Sequence, residues 1–198
     1  MISKEEFEHF WVENYNTLPP LGHYLRDYFF EDRWFRIHSL PNSKRYANNK
    51  TEMNTIIERQ NTLIDDLIGE NNGYVLLLYN FSELPIQKYC FDIHNAITLD
   101  TLEIDNDYYE DCVLNVAIIS KIWHNRSLDN WLELIANDEV IISKDLYEVC
   151  RCLIIDINKN RIIAPYDGGV DVILNTKDER DSYKIKYQNW LSFREDGL

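Results

Sequence analysis

The chain has 198 residues, 45% of them hydrophobic and 13% aromatic, enough to bury the core of a single domain and too apolar for intrinsic disorder. Its formal net charge is -14 and it holds only 6 Gly and 5 Pro, which disfavours general nucleic-acid binding and contact with anionic membranes, and leaves little for long linkers. The same acidity suits solubility or attraction to a basic partner.

Residues Met1 to Glu6 carry neither the basic region nor the apolar stretch of a signal peptide, and no apolar run reaches membrane-span length. A cytoplasmic location is expected. Ser3 and Glu6 have capping-box spacing, followed by Phe7, Phe10, Trp11 and Tyr15 on one helical face; Leu18-Pro19-Pro20 should end that helix. Gly22 to Phe30 reads as a short turn of helix or a loop with packing aromatics. Trp34 to Pro41 reads as a short strand, with Arg36 and His38 on one face and Phe35 and Ile37 on the other. A polar loop, Asn42 to Tyr46, leads to a second helix capped by Asn49 or Thr51, running to about Ile68 and stopped by Gly69.

Tyr74 to Phe81 is a strand apolar enough for both faces to be covered. From Ser82 to Asp111 the pattern suggests loops and one short strand. Cys112 to Trp123 is a further apolar strand, Ser127 starts a short helix around Trp131, Leu132 and Ile135, and Glu139 to Ser143 is an edge strand or loop. The sharpest patterning is Cys150 to Leu174: three apolar β-branched runs separated by Asn158-Lys159-Asn160 and Asp167-Gly168-Gly169, expected as two hairpin turns. Thr176 and Glu179 repeat the capping-box spacing before a last helix with Tyr183, Tyr187, Trp190 and Leu191 on its inner stripe. Strands and helices do not alternate regularly. The expected class is α+β: a mostly antiparallel sheet packed with helices, with an amino-terminal helical segment over 1–70 and a closing carboxy-terminal helix, as one domain over 1–198.

No catalytic motif survives inspection. Asp156-x-Asn158-x-Asn160, with Asp167 at the twelfth position, imitates a calcium loop, but the sixth position is Arg161 rather than Gly and the middle is strand-like. Asp167-Gly168-Gly169 lacks every phosphate-loop pattern and leads into a strand. His9, His23, His38, His94 and His124 show no metal-ligand spacing, and Cys90, Cys112, Cys150 and Cys152 form no CxxC pair and read as buried reduced thiols. No metal or cofactor is implied. Two concentrations of charge remain. Arg36, His38, Lys44 and Arg45 form a basic group that is either an anion site or an ion-paired network with Asp167 and Asp171. Asp105, Asp107, Tyr108, Tyr109, Glu110 and Asp111 form an acidic loop with aromatic anchors, a candidate partner contact or a solvated loop.

The run Phe35-Arg36-Ile37-His38-Ser39-Leu40-Pro41 with Ser43-Lys44-Arg45-Tyr46, and the run Tyr166-Asp167-Gly168-Gly169-Val170-Asp171, resemble the two signatures of the bacterial domain of unknown function family 3885. Arg180-Asp181, Tyr187, Trp190 and Leu191 fit as well. The resemblance implies a bacterial cytosolic protein and no assigned activity. The carboxy-terminal hairpin is also similar to turns in small immunity-type proteins, built as an antiparallel sheet with packed helices. The functional expectation is a non-catalytic binding protein, such as an immunity protein neutralising a basic toxin. The alternative is a small-anion-binding or enzymatic domain using Arg36, His38, Lys44 and Arg45 opposite Asp167 and Asp171.

Overall fold

The computed structural model describes residues 2–69, 73–79, 96–104, 112–120, 126, 128–137, 150–194 and 197, with backbone alone for Tyr79, 96–104, 112–115, 117–120 and Cys150. Ser3 caps α1 (Lys4–Tyr15): its hydroxyl accepts from the Glu6 amide at 3.1 Å, and the Glu6 carboxylate accepts from the Ser3 amide at 2.7 Å. The helix stops at Asn16, whose φ is 56, ahead of the proline pair expected to end it. Gly22–Phe29 forms a true helix, α2. β1 (Trp34–His38) follows, then a 3-10 turn at Pro41–Ser43 with positive φ at Asn42 and Ser43. Asn49, not Thr51, caps α3 (Lys50–Leu67), accepting from the Glu52 amide at 3.0 Å, and Gly69 ends it at φ 76.

The remaining elements are β2 (Tyr74–Tyr79), β3 (Ala96–Ile104), β4 (Cys112–Ser120), α4 (Asp129–Ala136), β5 (Cys150–Asp156), β6 (Arg161–Tyr166), β7 (Gly169–Ile173) and α5 (Lys177–Lys186), capped by Thr176. Among the described residues, seven strands form one sheet in the order β1-β7-β6-β5-β2-β4-β3, every neighbouring pair antiparallel. β1 comes from the helical front end but is an edge strand of the sheet. β3 has nine residues where a short strand was expected. The expected edge segment Glu139 to Ser143 lies outside the described residues.

Period-two alternation sorts the sheet's side chains into two cores. Trp34, Leu76, Leu153, Ile155, Ile162 and Ile173 pack against Phe7, Trp11 and Tyr15 of α1 and Leu25 and Phe29 of α2. Phe35, Ile37, Val75, Leu77, Ile154, Ile163 and Val172 pack against Ile57, Leu63, Ile64 and Leu67 of α3, Trp131 and Leu132 of α4, and Tyr187. The sheet is therefore sandwiched between helical layers, and β2, β5 and β6 bury apolar side chains on both faces. The fold is α+β, with the expected first and last helices in place. Among the described residues no helix is long and apolar enough to cross a membrane.

The Asp156 to Asn160 segment is a hairpin turn. The Asp156 carboxylate accepts from the amides of Asn158 and Lys159, both at 3.0 Å. Asn160, at φ 52, donates from Nδ2 to Oδ1 of Asn14 at 2.8 Å and to Oδ1 of Asn175 at 3.1 Å, and so ties the turn to α1. These oxygens serve the turn.

Candidate functional site

The register of the edge strands builds the centre of the site. Arg36 of β1 lies directly opposite Asp171 of β7. Its Nε donates to Oδ1 of Asp171 at 2.8 Å and its Nη2 to Oδ2 at 2.9 Å, a bidentate pair. The Trp34 indole Nε1 donates to the same Oδ1 at 3.0 Å, and the guanidinium lies 4.7 Å from the Tyr166 ring centroid. Asp171 is buried and the Arg36 side chain nearly so. The pair is thus fixed by strand register, hydrogen bonds and an aromatic face together.

A second pair stands at the turn joining β6 to β7. The buried Asp167 carboxylate accepts from Arg45 Nε at 2.8 Å, from Arg45 Nη2 at 2.7 Å and from the Tyr46 hydroxyl at 2.8 Å. Tyr166 pairs with Gly169, so the loop is the two residues Asp167-Gly168, and neither takes a positive φ. The glycines serve close approach instead. A Cβ on Gly169 would stand 2.2 Å from the Ile37 carbonyl oxygen of β1. A Cβ on Gly168 would stand 2.9 Å from the Tyr166 ring and 3.2 Å from Arg45 Cγ. The Asp-Gly sequence is a hairpin turn, as expected, but its glycines are required for space rather than for left-handed backbone.

Both pairs open onto a cleft of about 680 Å³ between the entry of α2 and the β1-β7-β6-β5 edge of the sheet. Its volume lies in the range of small-molecule sites. Five of the six residues expected at a ligand site line it: Arg36, His38, Arg45, Asp167 and Asp171, while Lys44 does not. Lys44 Nζ instead donates to both oxygens of Glu52, at 2.7 and 2.6 Å. Arg59 does approach from α3, donating from Nη1 to the His38 carbonyl at 2.8 Å. His23 and Arg26 of α2, Arg151 of β5 and Arg194 of the tail also line the cleft. Sequence reasoning missed these, because they lie far apart in the chain and only the packing of α2 on the sheet brings them together.

Among the described residues the lining carries five guanidiniums and two carboxylates, in a chain whose net charge is -14; Arg26 also pairs with Asp27, from Nε to Oδ1 at 2.7 Å. Burial, then Arg26 and Arg151, hold the His23 imidazole below its ordinary value. Burial, then Arg36 and Arg59, do the same to His38. Both are neutral at pH 7. Burial raises the Tyr166 phenol well above its usual range, so it stays protonated. The first turn of α2 adds no acidic side chain, and its cap, Leu21, makes no side-chain hydrogen bond to the helix amides. The arrangement can bind an anion through guanidinium forks, imidazoles and backbone amides.

Among the described residues no group of three or more His, Cys, Asp or Glu side chains stands together to hold a metal ion. Cys152 is buried and unpaired, its thiol pushed up to about 12 by burial. The acidic partner-loop candidates Asp105, Asp107, Tyr108, Tyr109, Glu110 and Asp111 lie outside the described residues. The chain belongs to the family described as Domain of unknown function (DUF3885), whose model matches residues 21–195. The match spans the elements that build the cleft. No curated protein and no solved structure matches the chain.

Proposed function

We propose that this member of the family is a cytoplasmic protein that binds a small anionic ligand in the cleft between α2 and the β1-β7-β6-β5 edge. The observation that carries the reading is the concentration of five arginines in one cleft of a chain with formal net charge -14. A scattered surface of this composition would not gather cations there. Asp171 and Asp167 engage Arg36 and Arg45 and fix their guanidiniums, and Asp27 pairs with Arg26. Arg26, which pairs with Asp27 through Nε, and Arg151 line the same cleft beside the first turn of α2 and would reach one bound anion from the other side. The reading is of binding: among the described residues that line the cleft, Cys152 is held as a neutral thiol by burial.

The test is thermal stabilisation by sulfate, pyrophosphate and trimetaphosphate against chloride at matched ionic strength. Stabilisation should be saturable. Arg26→Gln and Arg151→Gln should each weaken it, by roughly tenfold in apparent Kd, the worth of a charge-assisted hydrogen bond. Lys44→Gln, outside the cleft, should leave it unchanged. Equal stabilisation of all variants would count against the cleft. A second reading, an immunity protein that captures a basic toxin, is supported by the charge of -14 alone. It would show as association with a basic nuclease-type protein whose on-rate falls steeply with salt.

A further inference from the structure

The turn that follows β1 conflicts with its own sequence at one position. Pro41 to Lys44 is closed by the Lys44 amide, which donates to the Pro41 carbonyl at 3.3 Å, and both central residues take positive φ, Asn42 at 57 and Ser43 at 55. That is the pattern of a type I′ turn, whose preferred central pair is Asn-Gly. Asn42 suits the first place, since Asn tolerates left-handed backbone. Ser43 stands where glycine is the unstrained choice, and its Cβ crowds the backbone there. Such strain persists only where the surroundings over-determine it. Here they do. The Ser39 amide donates to the Gly168 carbonyl at 3.2 Å just before the turn, and just after it Arg45 and the Tyr46 hydroxyl grip the buried Asp167 carboxylate. Ser43 is exposed and lines the cleft, and its side chain makes no hydrogen bond to any described residue.

We infer that Ser43 is a ligand contact: the strained turn holds its hydroxyl in the cleft to donate to an oxyanion oxygen of the bound ligand. The inference rests on the anion-binding reading above and deepens it, by naming the residue of the basic loop that touches the ligand. From Asn42 to Tyr46, Ser43 and Arg45 line the cleft. The Arg45 guanidinium is committed to Asp167, so it fixes the loop, and Ser43 brings the donor that has no protein partner. A serine hydroxyl rotates to meet an acceptor, and its short side chain keeps it close to the backbone that the turn fixes. Glycine at this position would relax the turn and remove the donor. Strain kept at a binding site trades stability for fixed geometry. Stability and affinity should therefore move in opposite directions here, which they would not do at a residue that serves the fold alone.

The experiment sets urea unfolding of the ligand-free full chain beside isothermal titration with trimetaphosphate, for the unaltered chain and for Ser43→Gly, Ser43→Ala and Asn42→Gly. Ser43→Gly should raise the urea midpoint, because glycine takes positive φ without strain. The same variant should weaken trimetaphosphate binding about tenfold in Kd, the loss of one hydrogen bond to a charged group. Ser43→Ala keeps the strained backbone and lacks the hydroxyl. Its midpoint should stay close to that of the unaltered chain, with the same loss of affinity. Asn42→Gly, outside the lining, should leave the Kd unchanged. Binding by Ser43→Gly or Ser43→Ala as tight as that of the unaltered chain would overturn the inference. So would a Ser43→Gly midpoint no higher than that of the unaltered chain. In either case the anion site stands if Arg26→Gln and Arg151→Gln still weaken binding. No binding of trimetaphosphate by the unaltered chain would overturn both.

Discussion

Asp171 and Gly169 are two residues apart on β7 and do opposite jobs for the same edge strand. Asp171 carries a buried charge whose acceptance of Arg36 and Trp34 is complete. Replacing it by Ala leaves the Arg36 guanidinium buried without its carboxylate. The expected loss is about 3–5 kcal/mol in urea unfolding, and the double variant Arg36→Met with Asp171→Leu should recover most of it. Gly169 has no room for a methyl group, with the Ile37 carbonyl 2.2 Å from where a Cβ would sit. Gly169→Ala must push β1 away from β7, and should cost about 3 kcal/mol or more. Gly22→Ala meets only the Ala164 methyl group at 3.1 Å, and should cost far less. The imidazoles add a pH dependence. His23 and His38 are held below the ordinary value of 6.5 in the folded chain, so the unfolded chain binds protons first as pH falls. Stability tied to their neutrality is full above that value and is lost below it. Urea midpoints should therefore fall as pH drops from about 7 to about 5.5, less steeply in the His23→Gln, His38→Gln double variant.

At the scale of elements, what was legible had local causes. The capping boxes at Ser3 and Thr176, the Asn49 cap and the Gly69 stop are written in a few neighbouring residues. So are the two hairpin turns of β5-β6-β7. β3 shows the opposite case. Its apolar residues Ile97 and Leu99 fall on odd positions, while Leu102 and Ile104 fall on even ones. The register against β4 shifts between Thr98 and Asp100. A bulge there inserts one residue and flips the parity, which hides a nine-residue strand from any period-two reading. The local sequence of α2 does not decide between helix and loop, because its helical form depends on packing Leu25 and Phe29 against the sheet. The glycine pair was legible as a turn, but its cause was not, since the crowding comes from β1, more than 120 residues earlier in the chain. Removing the Thr176 cap by Thr176→Val should cost about 1 kcal/mol and leave anion binding intact, since α5 lies away from the cleft.

Over the whole molecule, the α+β class follows from the irregular order of strands and helices, and the sandwiching of the sheet follows from strands apolar on both faces. The site needed both. Its cations come from α2, β1, the following loop, β5 and the tail, and only the closed fold brings them to one cleft. The sequence carried the pairing of the basic loop with Asp167 and Asp171, because both runs are distinctive. It could not carry Arg26, Arg151 or His23, each an ordinary residue in its own segment. Acid overall and basic within one cleft, the molecule would draw a small anion inward on the proposed reading. Amide chemical-shift mapping with trimetaphosphate, across the full chain at low ionic strength, tests that account most directly. Saturable shifts should gather at Gly22, His23, His38, Asp167 and Gly168. Shifts that are absent, or spread over Lys4, Lys184 and Lys186 on the exterior, would contradict it.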